Sequence, residues 1–153
     1  MDSEFRELYQ DIILDHNRSP RNFGKLEDAT HVLKGQNPVC GDNYRIYLKV
    51  KDGVIEDVRF EGAGCAISKA SASVMSTVIK GKTIEQADRY FELFHKIVTG
   101  EEDPARHLEE LGKLAAFAGI AEFPVRVKCA TLAWHTMHNA LHGKSEPVST
   151  EEE

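Results

Sequence analysis

Three observations predict an α+β fold for this chain. Apolar residues near the N-terminus recur at helical spacing. Those from Ile46 to Phe60 alternate on either side of an Asp-Gly pair, and from Ala66 onward helical segments follow one another almost to the end. One helix, a short strand, a hairpin and then a run of helices is an order that segregates strands from helices.

The first helix carries Phe5, Leu8, Tyr9, Ile12, Ile13 and His16 along one apolar stripe. It should stop near Asn17-Arg18-Ser19-Pro20, because proline disfavours helix at the residue before it. His16, at its end, reads as a helix C-terminal cation. Thr30-His31-Val32-Leu33 is a short strand, and Gly35-Gln36-Asn37-Pro38 a turn. A second strand opens at Cys40-Gly41-Asp42 and continues through Ile46, Leu48 and Val50. Lys51-Asp52-Gly53-Val54 is the favoured hairpin turn, and Val58 and Phe60 mark one face of the return strand. If Lys51 faces Val54, Cys40 and Cys65 are equidistant from the turn and emerge at the same end of the ribbon.

Gly62-Ala63-Gly64-Cys65 joins that ribbon to a helix of small residues, Ala66-Ile67-Ser68-Lys69-Ala70-Ser71-Ala72-Ser73-Val74-Met75, ending near Gly81. Thr83 and Gln86 form a capping box, followed by a stripe of Ile84, Ala87, Phe91, Phe94 and Val98. Glu101-Glu102-Asp103-Pro104 breaks that helix. Leu108, Leu111, Leu114, Ala115 and Ala118 form a short helix or pair, and His95 and His107 read as surface residues. Pro124 opens the last helix, with Val125, Cys129, Leu132, Ala133, Thr136 and Ala140 on one face and Arg126 one turn before Cys129. His135, His138 and His142 lie opposite, where a solvated face is the plain expectation despite a spacing that could hold a metal. Residues 1–143 form one domain, and 144–153 should be a disordered acidic tail.

The length of 153 residues suits one domain and calls for no second. A net charge of −6 argues against nucleic-acid binding as the main activity. No apolar run approaches the roughly 20 residues of a membrane span, and Met1-Asp2-Ser3-Glu4-Phe5 lacks the features of a signal peptide. The expectation is a cytoplasmic protein whose thiols stay reduced. Three cysteines, an odd number, suit thiolate or metal chemistry better than a disulfide framework.

Cys65, placed at or just before the first turn of a helix, meets free N–H groups that favour a thiolate there. The plain alternative is a small residue at a tight junction. Cys40, Asp42, Cys65 and Cys129 together supply three thiolates and a carboxylate, the tetrahedral count that zinc prefers. No Cys-x-x-Cys pair is present, and the donors come from separate elements, unlike a compact structural finger. A carboxylate is the harder and more exchangeable ligand, so such a site can open and free a thiolate to attack sulfur. By spacing alone, three scattered cysteines are more often inert than coordinating.

The motifs say more than the spacing. Asp15-His16-Asn17-Arg18-Ser19-Pro20-Arg21-Asn22, Asn37-Pro38-Val39-Cys40-Gly41-Asp42, Phe60-Glu61-Gly62-Ala63-Gly64-Cys65-Ala66-Ile67-Ser68 and Arg126-Val127-Lys128-Cys129 resemble, in that order, the IscU/NifU-like iron–sulfur assembly family. The resemblance runs from the first helix to about Gly143. Lys128, where most IscU scaffolds have histidine, and the long stretch from Cys65 to Cys129 look like the SufU branch.

That resemblance implies a SufE/NifU-like α+β fold with a small three-stranded antiparallel sheet packed against several helices. It implies zinc held by Cys40, Asp42, Cys65 and Cys129, and a SufS-type cysteine desulfurase as partner. Cys40 would accept persulfide sulfur once a histidine of the desulfurase replaces it on zinc, and Arg126 would help engage that partner. Downstream iron–sulfur assembly proteins would follow; neither nucleic acid nor membrane is expected as a partner. Two alternatives stay open: a scaffold on which a transient two-iron cluster is built, and a domain with a purely structural zinc.

Overall fold

The computed structural model describes residues 3–38 and 41–149. Helix α1 (Ser3–Arg18) is followed by strands β1 (His31–Asn37), β2 (Asp42–Lys51) and β3 (Val54–Ala63). Then come α2 (Ala66–Ile79), α3 (Ile84–Val98), the one-turn α4 (Leu108–Leu111), a 3-10 segment at Gly112–Glu122, α5 (Pro124–Leu141) and β4 (Val148–Ser149).

The β2–β3 turn is the expected one, with Asp52 and Gly53 both at positive φ and Lys51 opposite Val54. The simple register fails three residues further on. Val50 pairs with Ile55, but Lys49 pairs with Asp57, so Glu56 is an extra residue in a β-bulge. The cause lies on the outer edge of β3. Ile55 gives its N–H to Lys82 O and receives the N–H of Gly81, which turns its backbone away from β2. Beyond the bulge every pair is shifted by one, and Asn43 faces Ala63.

The sheet has four strands in the order β3-β2-β1-β4, rather than the three expected. The fourth is supplied by Val148–Ser149, which runs parallel to Gly35–Gln36 of β1. Val148 is buried there. The tail predicted from residue 144 is thus in part a piece of the sheet, because an apolar side chain among acidic and polar neighbours found a strand edge to cover. Residues 150–153 lie outside the described residues.

One face of the sheet (Leu33, Tyr44, Ile46, Leu48, Val58 and Phe60) is buried beneath the helices. Helix α5 lies across it and is buried almost all round, with Trp134 fully enclosed. Its approach to β1 depends on Gly35, where a Cβ would sit 2.0 Å from Thr136 Oγ1. The Thr83–Gln86 capping box and the Pro124 start of α5 are as expected. The Leu108–Ala118 segment is instead a single α-turn and a longer 3-10 stretch that buries Leu114, Ala115 and Phe117.

The histidines depart most from expectation. His16 is no exposed cation: its ring is buried, with Nδ1 2.6 Å from Ser73 Oγ. Burial, reinforced by the charges of Arg21 and Lys113, pushes its pKa down to about 4. The histidine face of α5 is only partly solvated: His142 is exposed, but His135 and His138 are half-buried. His135 and His138 pack around Phe91 of α3, and burial pushes His135 down to about 4 as well. His95 shares this cluster, and His107 lies 3.3 Å from Glu102.

Candidate metal and sulfur site

Strand alternation carries Asp42 to the core face of β2, the face of Tyr44, Ile46 and Leu48. An aspartate at that position meets the helices rather than water, and it is 1% exposed. Its Oδ1 accepts the backbone N–H of Cys65 at 2.8 Å. Its Oδ2 is buried and has no hydrogen-bond partner. A buried carboxylate oxygen without a partner carries a substantial desolvation cost unless a cation or proton answers it.

Cys65 is the N-cap of α2. Its Sγ accepts the N–H of Ser68 at 3.4 Å and lies 3.6 Å from Ser68 Oγ. The Ser68 hydroxyl in turn lies 2.9 Å from the buried Tyr44 hydroxyl. These contacts, with the Cys129 thiol as the strongest, bring the Cys65 thiol down to about 6, against an opposing push from burial. Cys65 therefore carries a thiolate near neutrality, as its place at a helix N-terminus predicts.

Cys129 arrives from the second turn of α5 and is 4% exposed. The spacing between its helix and that of Cys65 is fixed by Ser71, whose Oγ donates to Ala130 O at 2.6 Å. Gly64 completes the junction. A Cβ on it would lie 2.5–2.6 Å from Asp42 Oδ1, Ser68 Oγ and Tyr44 Oη, so any larger residue would displace these groups.

Three of the four predicted ligands are thus brought together. The donor atoms of Asp42, Cys65 and Cys129 all lie within 4.8 Å of one another. The fourth, Cys40, falls outside the described residues. Strand β1 ends at Asn37, which pairs with Asp42 at the start of β2. The donor chemistry fits zinc: two thiolates and a carboxylate with an unanswered oxygen are ligands that a tetrahedral site uses.

Arg126 sits one turn before Cys129, exposed, with its guanidinium 5.1 Å from the centre of the Phe123 ring. Burial raises the pKa of the Tyr9 phenol; the charge of Arg126 opposes this and that of Cys65 adds to it. Arg126 and Cys65 therefore act on the same hydroxyl. Phe123 and Val125 are exposed beside Arg126, at 50% and 58%. The inner support of the site, Ser68 and Tyr44, was not legible as functional. A capping partner three residues after Cys65 was the available signal for Ser68; for Tyr44 there was none beyond alternation.

Comparison with known proteins shows the family and the fold. Residues 8–130 match the family model of the NifU-like N terminal domain. The zinc-dependent sulfurtransferase SufU of Bacillus subtilis (strain 168) is 42% identical over 134 residues, covering 88% of this chain and 89% of that protein. The iron–sulfur cluster assembly scaffold protein IscU of Streptococcus pyogenes serotype M1 is 39% identical, with coverages of 91% and 86%. A crystal structure from Fervidobacterium islandicum AW-1, named for a SUF-system cluster assembly scaffold, superposes with a TM-score of 0.80 at 36% identity. It covers 89% of this chain and 98% of that one.

Proposed function

The chain belongs to the NifU-like N-terminal domain family, and from that premise we propose that it is a zinc-dependent sulfur acceptor in iron–sulfur cluster assembly. Its partner is a SufS-type cysteine desulfurase, and the reaction takes place in the cytoplasm. The observation that carries this reading is the convergence of Asp42, Cys65 and Cys129 around the unanswered Asp42 Oδ2.

Asp42, Cys65 and Cys129, with Cys40, would hold zinc, which supplies a charge that keeps the thiols deprotonated and protected until a partner docks. Within the chain, Ser68 steadies the Cys65 sulfur through its N–H and hydroxyl. The Cys65 N–H fixes the Asp42 carboxylate. Cys40 is the acceptor: its thiolate attacks the outer sulfur of the desulfurase persulfide, a new S–S bond forms, and the desulfurase cysteine leaves as a thiolate. The exchange needs no external oxidant, because one persulfide replaces another. Arg126, with Phe123 and Val125 beside it, offers a cationic and apolar rim for the partner.

A second reading is a scaffold that holds a transient two-iron cluster. It is favoured by relatives of near-full coverage that carry the scaffold name. Lys128, in place of a histidine before Cys129, supports the transfer reading. The deciding experiment measures alanine production by the cognate desulfurase, given cysteine under a weak reductant, with and without the zinc-loaded protein. Stimulation that vanishes in Cys40→Ser supports transfer. Absence of stimulation, with an iron–sulfur chromophore on the protein when iron is supplied, supports the scaffold.

A further inference from the structure

Further along α5 lies a group of metal-ligating side chains that the sulfur chemistry does not use. His138 and His142 stand one turn apart, about 14 to 20 Å along the helix axis from Cys129. Asp88 reaches them from α3. His138 Nδ1 is 3.1 Å from Asp88 Oδ1, and His142 Nε2 is 2.9 Å from both Asp88 oxygens. The three donor atoms lie within 4.8 Å of one another.

We propose that Asp88, His138 and His142 form a second metal site, which takes a divalent first-row transition-metal ion and leaves its remaining positions to water. The donor set is two imidazoles and one carboxylate, nitrogen and oxygen ligands suited to zinc, ferrous iron or cobalt. Histidines four residues apart project from successive turns on one helix face, a spacing that presents both rings to one ion. A tetrahedral ion with ligands at about 2.0–2.1 Å holds its donors roughly 3.3 Å apart. The contacts to Asp88 need open by only a few tenths of an ångström.

The site is also held in shape. Phe91 stacks on the His138 ring, centroids 4.3 Å apart and planes within 8°, which fixes the plane in which Nδ1 meets Asp88. The His142 ring lies 4.6 Å from that of His138. A metal uses both neutral rings and the carboxylate together. The group is partly exposed, at 26–42% for the three side chains, which leaves the ion a route to water.

Cobalt(II) titration of the full-length protein tests this, comparing wild type with His142→Ala and Asp88→Asn. Wild type should take up one more ion per chain than either variant. The difference spectrum should show weak d–d bands without sulfur-to-cobalt charge transfer, since no thiolate is involved. Because the ion bridges α3 and α5, excess cobalt should raise the melting temperature of wild type more than that of either variant. Equal uptake by all three proteins would overturn the proposal, as would a thiolate charge-transfer band on the extra ion. Both variants leave Asp42, Cys65 and Cys129 untouched, so this outcome is separate from that of the sulfur-transfer assay.

Discussion

The carboxylate of Asp42 accepts the backbone N–H of Cys65 at 2.8 Å, so one proposed metal ligand sets the position of another. The bond uses Oδ1 and leaves Oδ2 free for a cation. It also ties the start of β2 to the N-cap of α2. Removing the side chain should therefore cost metal and geometry together. Asp42→Ala is expected to lower zinc affinity by at least about tenfold while the protein stays folded. Zinc content after competition with a chelator, read beside circular dichroism, checks this; unchanged retention would remove Asp42 from the site.

Gly64→Ala should be more damaging than its size suggests. The added methyl would meet Asp42 Oδ1, Ser68 Oγ and Tyr44 Oη at 2.5–2.6 Å. Overpacking of this kind costs about 1–3 kcal/mol. A lowered denaturation midpoint together with lost zinc is the expected result, and a variant equal to wild type in both would show that the junction has room.

Ser68→Ala removes the hydroxyl that Tyr44 and Cys65 share. The Tyr44 hydroxyl is then buried without its partner, at a cost of roughly 1–3 kcal/mol. The Cys65 thiol, which titrates near 6, loses one of the groups that lower it and should titrate at higher pH. Alkylation of Cys65 in the metal-free protein, followed by peptide mass spectrometry across a pH series, would show the profile moving to higher pH. A profile unchanged by the substitution would assign the shift to Cys129 and the Ser68 N–H alone.

His16 makes stability depend on pH. Its folded-state value of about 4 lies below the ordinary 6.5, so the unfolded chain binds a proton that the folded chain refuses between these limits. The associated stability is present above about 6.5 and is lost as pH falls toward 4. Between pH 7.5 and 5 the loss from this group alone is about 2 kcal/mol. Urea unfolding at the two pH values should show a smaller drop in His16→Gln than in wild type; equal drops would mean that the buried ring is not the source.

Much of the scaffold was legible because it rests on local chemistry. The Asp52-Gly53 turn, the Thr83–Gln86 capping box and Pro124 at the head of α5 each depend on residues a few positions apart. The hairpin pointed to Asp42 and Cys65 at one end of the ribbon, and the resemblance of the motifs added Cys129 from the last helix. What escaped was set by distant neighbours. The bulge at Glu56 comes from Gly81 and Lys82, which compete for the backbone of Ile55. His16 is held neutral by burial, its ring packed inside with Nδ1 against Ser73 of α2. His138 looks solvent-facing by helical periodicity, but Phe91 of α3 lies against it. Periodicity assigns a residue to a face of its own helix; it carries no information about what covers a polar face.

The short strand β4 has a consequence for how the sheet behaves in company. On one side, the rim of β1 is partly covered by the short edge strand Val148–Ser149. On the opposite side, β3 gives the N–H groups of Phe60 and Ile55 to Asn22 O and Lys82 O, and its Phe60 and Ile55 carbonyls accept the N–H groups of Gly24 and Gly81. Both rims of the sheet are therefore occupied at intervals by the chain's own backbone, which discourages a foreign strand from adding itself to either side. A sheet with both rims occupied presents no adhesive border. Trimming the chain at Gly143 would uncover the β1 rim at Gly35 and Gln36, and self-association of the shortened protein is the cost to be expected.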